Sequence, residues 1–191
     1  GAEKFVDIKC RKAGLTPSCA VIVATLRALK YHGGVEVTDA GKANAAALDK
    51  GLVNLERHIH NVRNQYGLES VVAINHRAGD SDAEIRQLQQ RLAHLDVRII
   101  VAKHFAEGGK GALDVAREVV KLCESPNNFR FVYDDAQSLW EKMKTVAQQV
   151  YGALDIVADS KIRAQIRALQ DAGYGHYPVC VAKTQSSFST N

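Results

Sequence analysis

Several features that would mark a function class are scarce in this chain. Of its 191 residues one is Trp, and aromatic residues make up only 6%. Basic residues number 25 against 21 acidic, and the two signs alternate along the helical stretches. A nucleic-acid footprint needs a concentrated basic stripe with interleaved aromatics, so no nucleic-acid partner is expected. No apolar run approaches the roughly 20 residues that cross a bilayer; Ala20–Ala24 and Ile99–Ala102 are typical. No membrane partner is expected either. The four cysteines, Cys10, Cys19, Cys123 and Cys180, form no C-x-x-C pair. With no signal-peptide pattern in the first residues, they read as reduced, buried thiols of a cytoplasmic protein, without a disulfide or a metal site. His58 and His60 stand two apart on a helix and point in different directions, which disfavours a metal pair. The chain lacks an initiating Met and enters a mature-looking motif at once, as an excerpt of a longer protein would.

What is present is ordinary for a globular fold: 46% hydrophobic and 24% charged residues. Short apolar runs alternate with amphipathic stretches. Cys19–Leu26, Val71–Ile74 and Val97–Ala102 read as buried strands, with Phe129–Tyr133 and Val179–Ala182 as a fourth and a last. Ala45, Leu48, Leu52, Leu55, Ile59, Val62 and Tyr66 recur at steps of three and four, a helical stripe closed by Gly67. Ser81-x-x-Glu84 has the form of a capping box and opens a helix carrying Ile85, Leu88, Leu92 and Leu95. A helix over about 111–124 is expected to bury Val115, Val119, Leu122 and Cys123. Two more are expected around 138–151 and 159–172, the first carrying Leu139, Met143, Val146 and Val150. Strands separated by helices of this length predict an α/β fold with a parallel sheet of βαβ units.

In such a sheet, ligands bind beyond the carboxyl ends of the strands. Four segments therefore matter: 27–34, 75–81, 103–111 and 183–189. The loop Lys103–Gly111 is glycine-rich, but G-x-x-x-x-G-K-[ST] occurs nowhere in the chain. Phe105 reads either as a stacking platform or as a hydrophobe anchoring its loop, and the residues alone favour the anchor. Asn75 and Asp80 could hydrogen-bond a heterocycle edge or serve turn chemistry. Arg27 and Lys30 could meet an anionic ligand or solvate the rim. Trp140 lies beside the apolar stripe of its helix, which favours packing. No Ser–His–Asp order or carboxylate pair stands out, so no catalytic residue is assigned.

The run Val23-Ala24-Thr25-Leu26-Arg27-Ala28-Leu29-Lys30-Tyr31-His32-Gly33-Gly34 resembles the signature V-A-T-[IV]-R-A-L-K-x-[HN]-G-G of the formate–tetrahydrofolate ligase family, with Leu26 replacing a β-branched residue. Gly1-Ala2-Glu3-Lys4-Phe5, Val71–Asn75, Ala106–Gly111, Tyr151-Gly152-Ala153 and Ala182-Lys183-Thr184-Gln185 are similar to family segments in family order. The resemblance spans the whole chain and corresponds to the later portion of the family's sequence.

The resemblance implies a fragment of a larger P-loop NTPase-like multidomain enzyme. Residues 1–150 would form a folate-side α/β domain and 151–191 the start of a C-terminal region. The implied reaction is ATP-dependent formylation of tetrahydrofolate through formyl phosphate. Mg-ATP is a substrate whose phosphate site lies in an N-terminal phosphate-loop region outside this chain, in the same protein or a partner chain. The implied folate-binding residues are Phe5, Asn75, Arg77 and Phe105. Phe105 stands where the family has Trp and Arg77 where it has Phe; a guanidinium plane can also stack on a ring. Lys183, Thr184 and Gln185 resemble the segment approaching the nucleotide. A homo-oligomer is also implied. The alternative reading is a non-catalytic folate- or nucleotide-binding module without its own phosphate loop.

Overall fold

The computed structural model describes residues 1–126, 128–182 and 188. Its contacts group into two compact units. One comprises Ser18–Arg63 and Leu68–Asn127, and the other Gly1–Pro17, Asn64–Gly67 and Asn128–Asn191. Residues 128–150 thus group with those after 150 and not with the sheet.

The first unit is built on a three-stranded parallel sheet of order β1-β2-β3: β1 Ala20–Ala24, β2 Ser70–Asn75 and β3 Arg98–Ala102. Its register pairs Ala20 with Ser70, Val71 with Arg98, and Asn75 with Ala102. Parallel neighbours need helical crossovers. These are α1 Leu26–His32, α2 Ala45–His60 and α3 Asp82–Leu92, with α4 Leu113–Cys123 following β3. Successive strand side chains alternate between faces. Ile22, Ala24, Val72, Ile74, Ile99 and Val101 form one face and join a core with Leu26, Leu29, Leu48, Leu52, Leu55, Ile59, Ile85, Leu88 and Leu92. On the other face, where α4 packs against β2 and β3, Val71, Ala73, Ile100 and Ala102 are buried. The class is α/β with a parallel sheet, as the alternation of runs implies.

The α2 stripe is buried as its spacing demands, except that Ala45 at the first turn is exposed. The helix continues through a π-helical turn, Asn61–Gln65, to Tyr66, and Gly67 takes the left-handed conformation at φ 67°. Helices α1 and α2 cross at two glycines. A Cβ on Gly33 would lie 1.8 Å from the Ala47 carbonyl oxygen, and one on Gly51 would lie 1.8 Å from that of Leu29.

Helix α4 departs from the expected pattern. Val115, Val119 and Leu122 are only half-buried and Cys123 is exposed. The buried residue is Glu118, whose carboxylate meets the Arg98 guanidinium at 3.0 Å. Cys180 is also exposed, so only Cys10 of the four thiols is buried, and all four are free.

The second unit is helical, with a π-helical segment Lys4–Cys10 and helices α5 Leu139–Thr145 and α6 Ser160–Asp171. A π-helical turn, Val146–Val150, extends α5 and buries Val146 and Val150, while Leu139 and Met143 are half-buried. Ser138 and Asp159 cap α5 and α6, accepting bonds from the Glu141 and Ile162 N–H groups. Trp140 is half-buried beneath the Arg163 guanidinium, 4.2 Å from the ring centre.

Two expected strands are absent. Residues 129–133 join no ladder, and their N–H groups find no strand to bond. Asn128 and Arg130 donate to the Gly67 and Tyr66 carbonyls at a helix end, and Val132 donates to the Asp7 carboxylate. Residues 179–182 likewise form no ladder; the Val179 N–H donates to the Tyr133 hydroxyl at 3.1 Å. Among the described residues no helix is long and apolar enough to cross a membrane.

Candidate functional site

The carboxyl end of the sheet is built from two loops. The His76 N–H donates to the Ala102 carbonyl at 3.0 Å, so the chains leaving β2 and β3 depart side by side. Asn75 is half-buried at this edge, and Arg77, two residues on, is exposed. Asp80 serves the turn: its carboxylate accepts from the Arg77 N–H at 2.9 Å, and its own N–H donates to the Arg77 carbonyl. Of the two readings of Asp80, local turn chemistry accounts for its contacts.

After β3, residues His104–Glu107 form one helical turn, Gly108 has φ 60° and ψ −146°, and the Lys103 N–H closes the loop on the Gly111 carbonyl at 2.9 Å. Only glycine adopts such a backbone readily. This turn lifts Phe105 clear of the body: it is 89% exposed. The anchoring role expected of it is therefore absent, because an anchor must be covered. Asn75 pairs with Ala102, three residues before Phe105, so Asn75 and Phe105 lie where the chain leaves the same end of neighbouring strands. A groove of about 500 Å³ along β3 and α4, lined by Arg98, Asp114, Arg117 and Lys121 among others, includes neither residue.

Lys30 does not reach that rim. It is 2% exposed, and its Nζ donates to the Lys42 carbonyl at 2.7 Å and pairs with Glu84 at 3.2 Å. The other Glu84 oxygen accepts from the Asn44 N–H at 2.8 Å. The expected capping box is unformed in both halves: Ser81 holds the N-cap position of α3 without a side-chain bond, and the Glu84 carboxylate is committed to Lys30 and the Asn44 N–H. Thr25, in the same signature run, caps α1 by accepting from the Ala28 N–H at 3.1 Å. Arg27 remains exposed.

Phe5 belongs to the helical unit, on the Lys4–Cys10 segment, and is half exposed with the Lys9 ammonium 6.0 Å from its ring centre. Beside it in sequence is a polar centre that residue types alone did not reveal. The Asp7 carboxylate, fully buried, accepts from the Val132 N–H at 2.8 Å. Arg11 donates to the Asp7 and Tyr133 carbonyls at 3.0 and 2.6 Å and stacks on Phe131 and Tyr133. Burial raises the Asp7 carboxyl above the usual range in spite of Arg11. Burial, with Asp7 nearby, pushes Glu3 up to about 7. Among the described residues, Glu3 Oε1, Asp7 Oδ2 and Tyr66 Oη have no hydrogen-bond partner, and burial raises the Tyr66 hydroxyl as well. The only sequence signal was the spacing of four between Glu3, Asp7 and Arg11. Lys183, Thr184 and Gln185 lie outside the described residues. Among those described, no three His, Cys, Asp or Glu side chains form a metal-binding group.

A three-stranded parallel sheet with helices on both faces defines an α/β protein of the open-sheet class, in which ligands bind beyond the carboxyl ends of the strands. Comparison with known proteins narrows the class. The family model for formate–tetrahydrofolate ligase matches residues 1–191. The chain is 55% identical to a formate–tetrahydrofolate ligase of Methylibium petroleiphilum, over all of this chain and 35% of that relative. It is 54% identical to one of Methylococcus capsulatus and 50% identical to one of Methylobacillus flagellatus, over all of this chain and 34% of each. The chain belongs to the formate–tetrahydrofolate ligase family. It spans about a third of the length of these curated relatives.

Proposed function

We propose that this chain supplies the folate-binding side of an ATP-dependent formate–tetrahydrofolate ligase. In that reaction Mg-ATP phosphorylates formate to formyl phosphate. The N10 amine of tetrahydrofolate then attacks the carbonyl carbon of this mixed anhydride, releasing phosphate and giving 10-formyltetrahydrofolate. The phosphate loop belongs to the remainder of a larger, P-loop NTPase-like multidomain enzyme of the cytoplasm, of which residues 1–150 form the folate-side region and 151–191 begin the C-terminal one. Phe5, Asn75, Arg77 and Phe105 are assigned to the folate, and Lys183, Thr184 and Gln185 to the approach of the nucleotide.

The observation that carries this reading is the exposed Phe105 ring on the loop that leaves β3, at the end of the sheet where Asn75 closes β2. An aromatic face at that position offers a flat pterin a stacking partner, and the Asn75 amide offers both a donor and an acceptor for the heterocycle edge. Family membership supplies the chemistry that these two groups serve. A ring with no packing role of its own can be removed without disturbing the core, which makes the proposal testable. In the full-length protein, Phe105→Ala is expected to raise KM for tetrahydrofolate about tenfold, the equivalent of about 1.4 kcal/mol of lost stacking and burial. KM for ATP is expected to stay unchanged, and Phe105→Trp to restore or improve folate affinity. An unchanged folate KM in Phe105→Ala would remove the assignment. Folate binding by the full-length protein without formate-dependent ADP release would favour the non-catalytic module.

A further inference from the structure

We propose that Cys19 and Cys123 form a reversible intramolecular disulfide, making this pair an oxidative modification site of the sheet unit. The two sulfurs lie 3.6 Å apart, although 103 residues separate them in the chain. Cys19 directly precedes β1 and Cys123 is the last residue of α4, so each sits at the end of a regular element. A disulfide needs about 2 Å between sulfurs. The two sulfurs must close by about 1.6 Å, and neither residue lies in the interior of a strand or helix. Neither thiol is otherwise committed to a disulfide, and Cys123 is exposed while Cys19 is half-buried beside it.

That asymmetry sets the order of steps. Burial, and then the contact with Cys123, pushes the Cys19 thiol up to about 11, so Cys19 keeps its proton. Exposed Cys123 is the sulfur that meets an oxidant. With hydrogen peroxide, the Cys123 thiolate attacks one oxygen, the O–O bond breaks, and hydroxide leaves, giving a sulfenic acid. The Cys19 sulfur, losing its proton, then attacks the sulfenic sulfur and expels a second hydroxide. Two thiols and one peroxide become one disulfide and two waters. A dithiol reductant reverses the step by thiol–disulfide exchange. The cross-link would tie the entry of β1 to the end of the helix that follows the Phe105 loop, closing a long loop of chain in the unfolded state. Cys10, which is buried, and Cys180, which has no partner sulfur among the described residues, have no such chemistry available.

The test is peptide mapping of the unmutated full-length protein. The protein is treated with hydrogen peroxide, the remaining thiols are blocked with N-ethylmaleimide, and the chain is digested without reductant. The expected result is a Cys19–Cys123 peptide pair, two hydrogens lighter than its components, that disappears with dithiothreitol. Formation should quicken as pH rises, since the second step needs the Cys19 thiolate. C19S and C123S should each abolish the cross-link and C180S should leave it unchanged. Recovery of Cys19 fully alkylated while Cys123 carries sulfinic acid would overturn the proposal, as would cross-links running only between chains. Mapping of the unmutated protein decides the matter even if a variant folds poorly.

Discussion

Lys30 and Glu84 show how one residue can be misread in a well-marked motif. A lysine just past a strand, in a loop-bearing run, suggests an anion contact. In the fold it is 2% exposed and holds Glu84 at 3.2 Å, and Glu84 in turn fixes the Asn44 N–H at the start of α2. Charge and position in sequence were legible; the partner, 54 residues away, was not. Breaking such a pair leaves a bare buried charge, which costs about 3–5 kcal/mol. Glu84→Gln or Lys30→Met alone is therefore expected to lower the urea midpoint sharply. The double variant should lose far less than the sum, because the Gln carbonyl still accepts from Asn44 and no charge is stranded. Strict additivity in the double-mutant cycle would contradict this. Glu3 makes the opposite case, a carboxyl raised by burial to about 7 from an ordinary 4.5. The folded state then holds its proton where the unfolded state has lost it, so stability falls as pH rises from about 4.5 to about 7 and is flat above. Glu3→Gln is expected to remove that slope and to add on the order of 2 kcal/mol at pH 8, read from thermal melts across the range.

Elements were legible where periodicity and chain-local chemistry fix them. The three paired strands, the α2 stripe ending at Gly67 and the helix over about 159–172 all follow from side-chain spacing and turn residues. Residues 129–133 carry strand-like composition yet form none, because their neighbours are a helix end and the Asp7 carboxylate, and pairing depends on what lies alongside. The half-buried α4 misleads in another way: its amphipathic pattern is strong, but its one fully covered position is Glu118, bound to Arg98. The close packing of α1 on α2 rests on Gly33 and Gly51 and cannot be read from either helix alone. Gly51→Ala would gain about 1 kcal/mol of helix propensity. It would also drive a methyl to 1.8 Å from the Leu29 carbonyl oxygen, with the Leu29 carbonyl carbon at 2.6 Å. Backbone does not yield as a flexible side chain does, so the net effect is expected to be a loss of at least about 1–3 kcal/mol. Gly109→Ala, with no atom within 4 Å of the added methyl, is the control and should be nearly neutral. Equal urea midpoints for the two variants would refute the close-crossing argument.

At the scale of the whole molecule, the chain carries no phosphate-loop sequence. No G-x-x-x-x-G-K-[ST] run exists in its 191 residues, and its relatives are about three times as long. Phosphoryl transfer depends on backbone N–H groups, a lysine and Mg²⁺ that neutralise charge on the transferring group. Nothing in the rim of Asn75, Arg77 and Phe105 substitutes for that set: it offers an amide, one cation and an aromatic face. The 191-residue chain alone is therefore expected to release no ADP in response to formate, above the rate without protein. Adding the remaining part of the full-length protein in trans should restore formate-dependent release if the two parts assemble. Phe105→Ala in the reassembled pair should weaken tetrahydrofolate use and leave formyl phosphate formation intact, since that step precedes the folate. ADP release by the isolated chain, abolished by omitting formate, would show that the first step has a home within these residues, and the division of labour proposed above would fall.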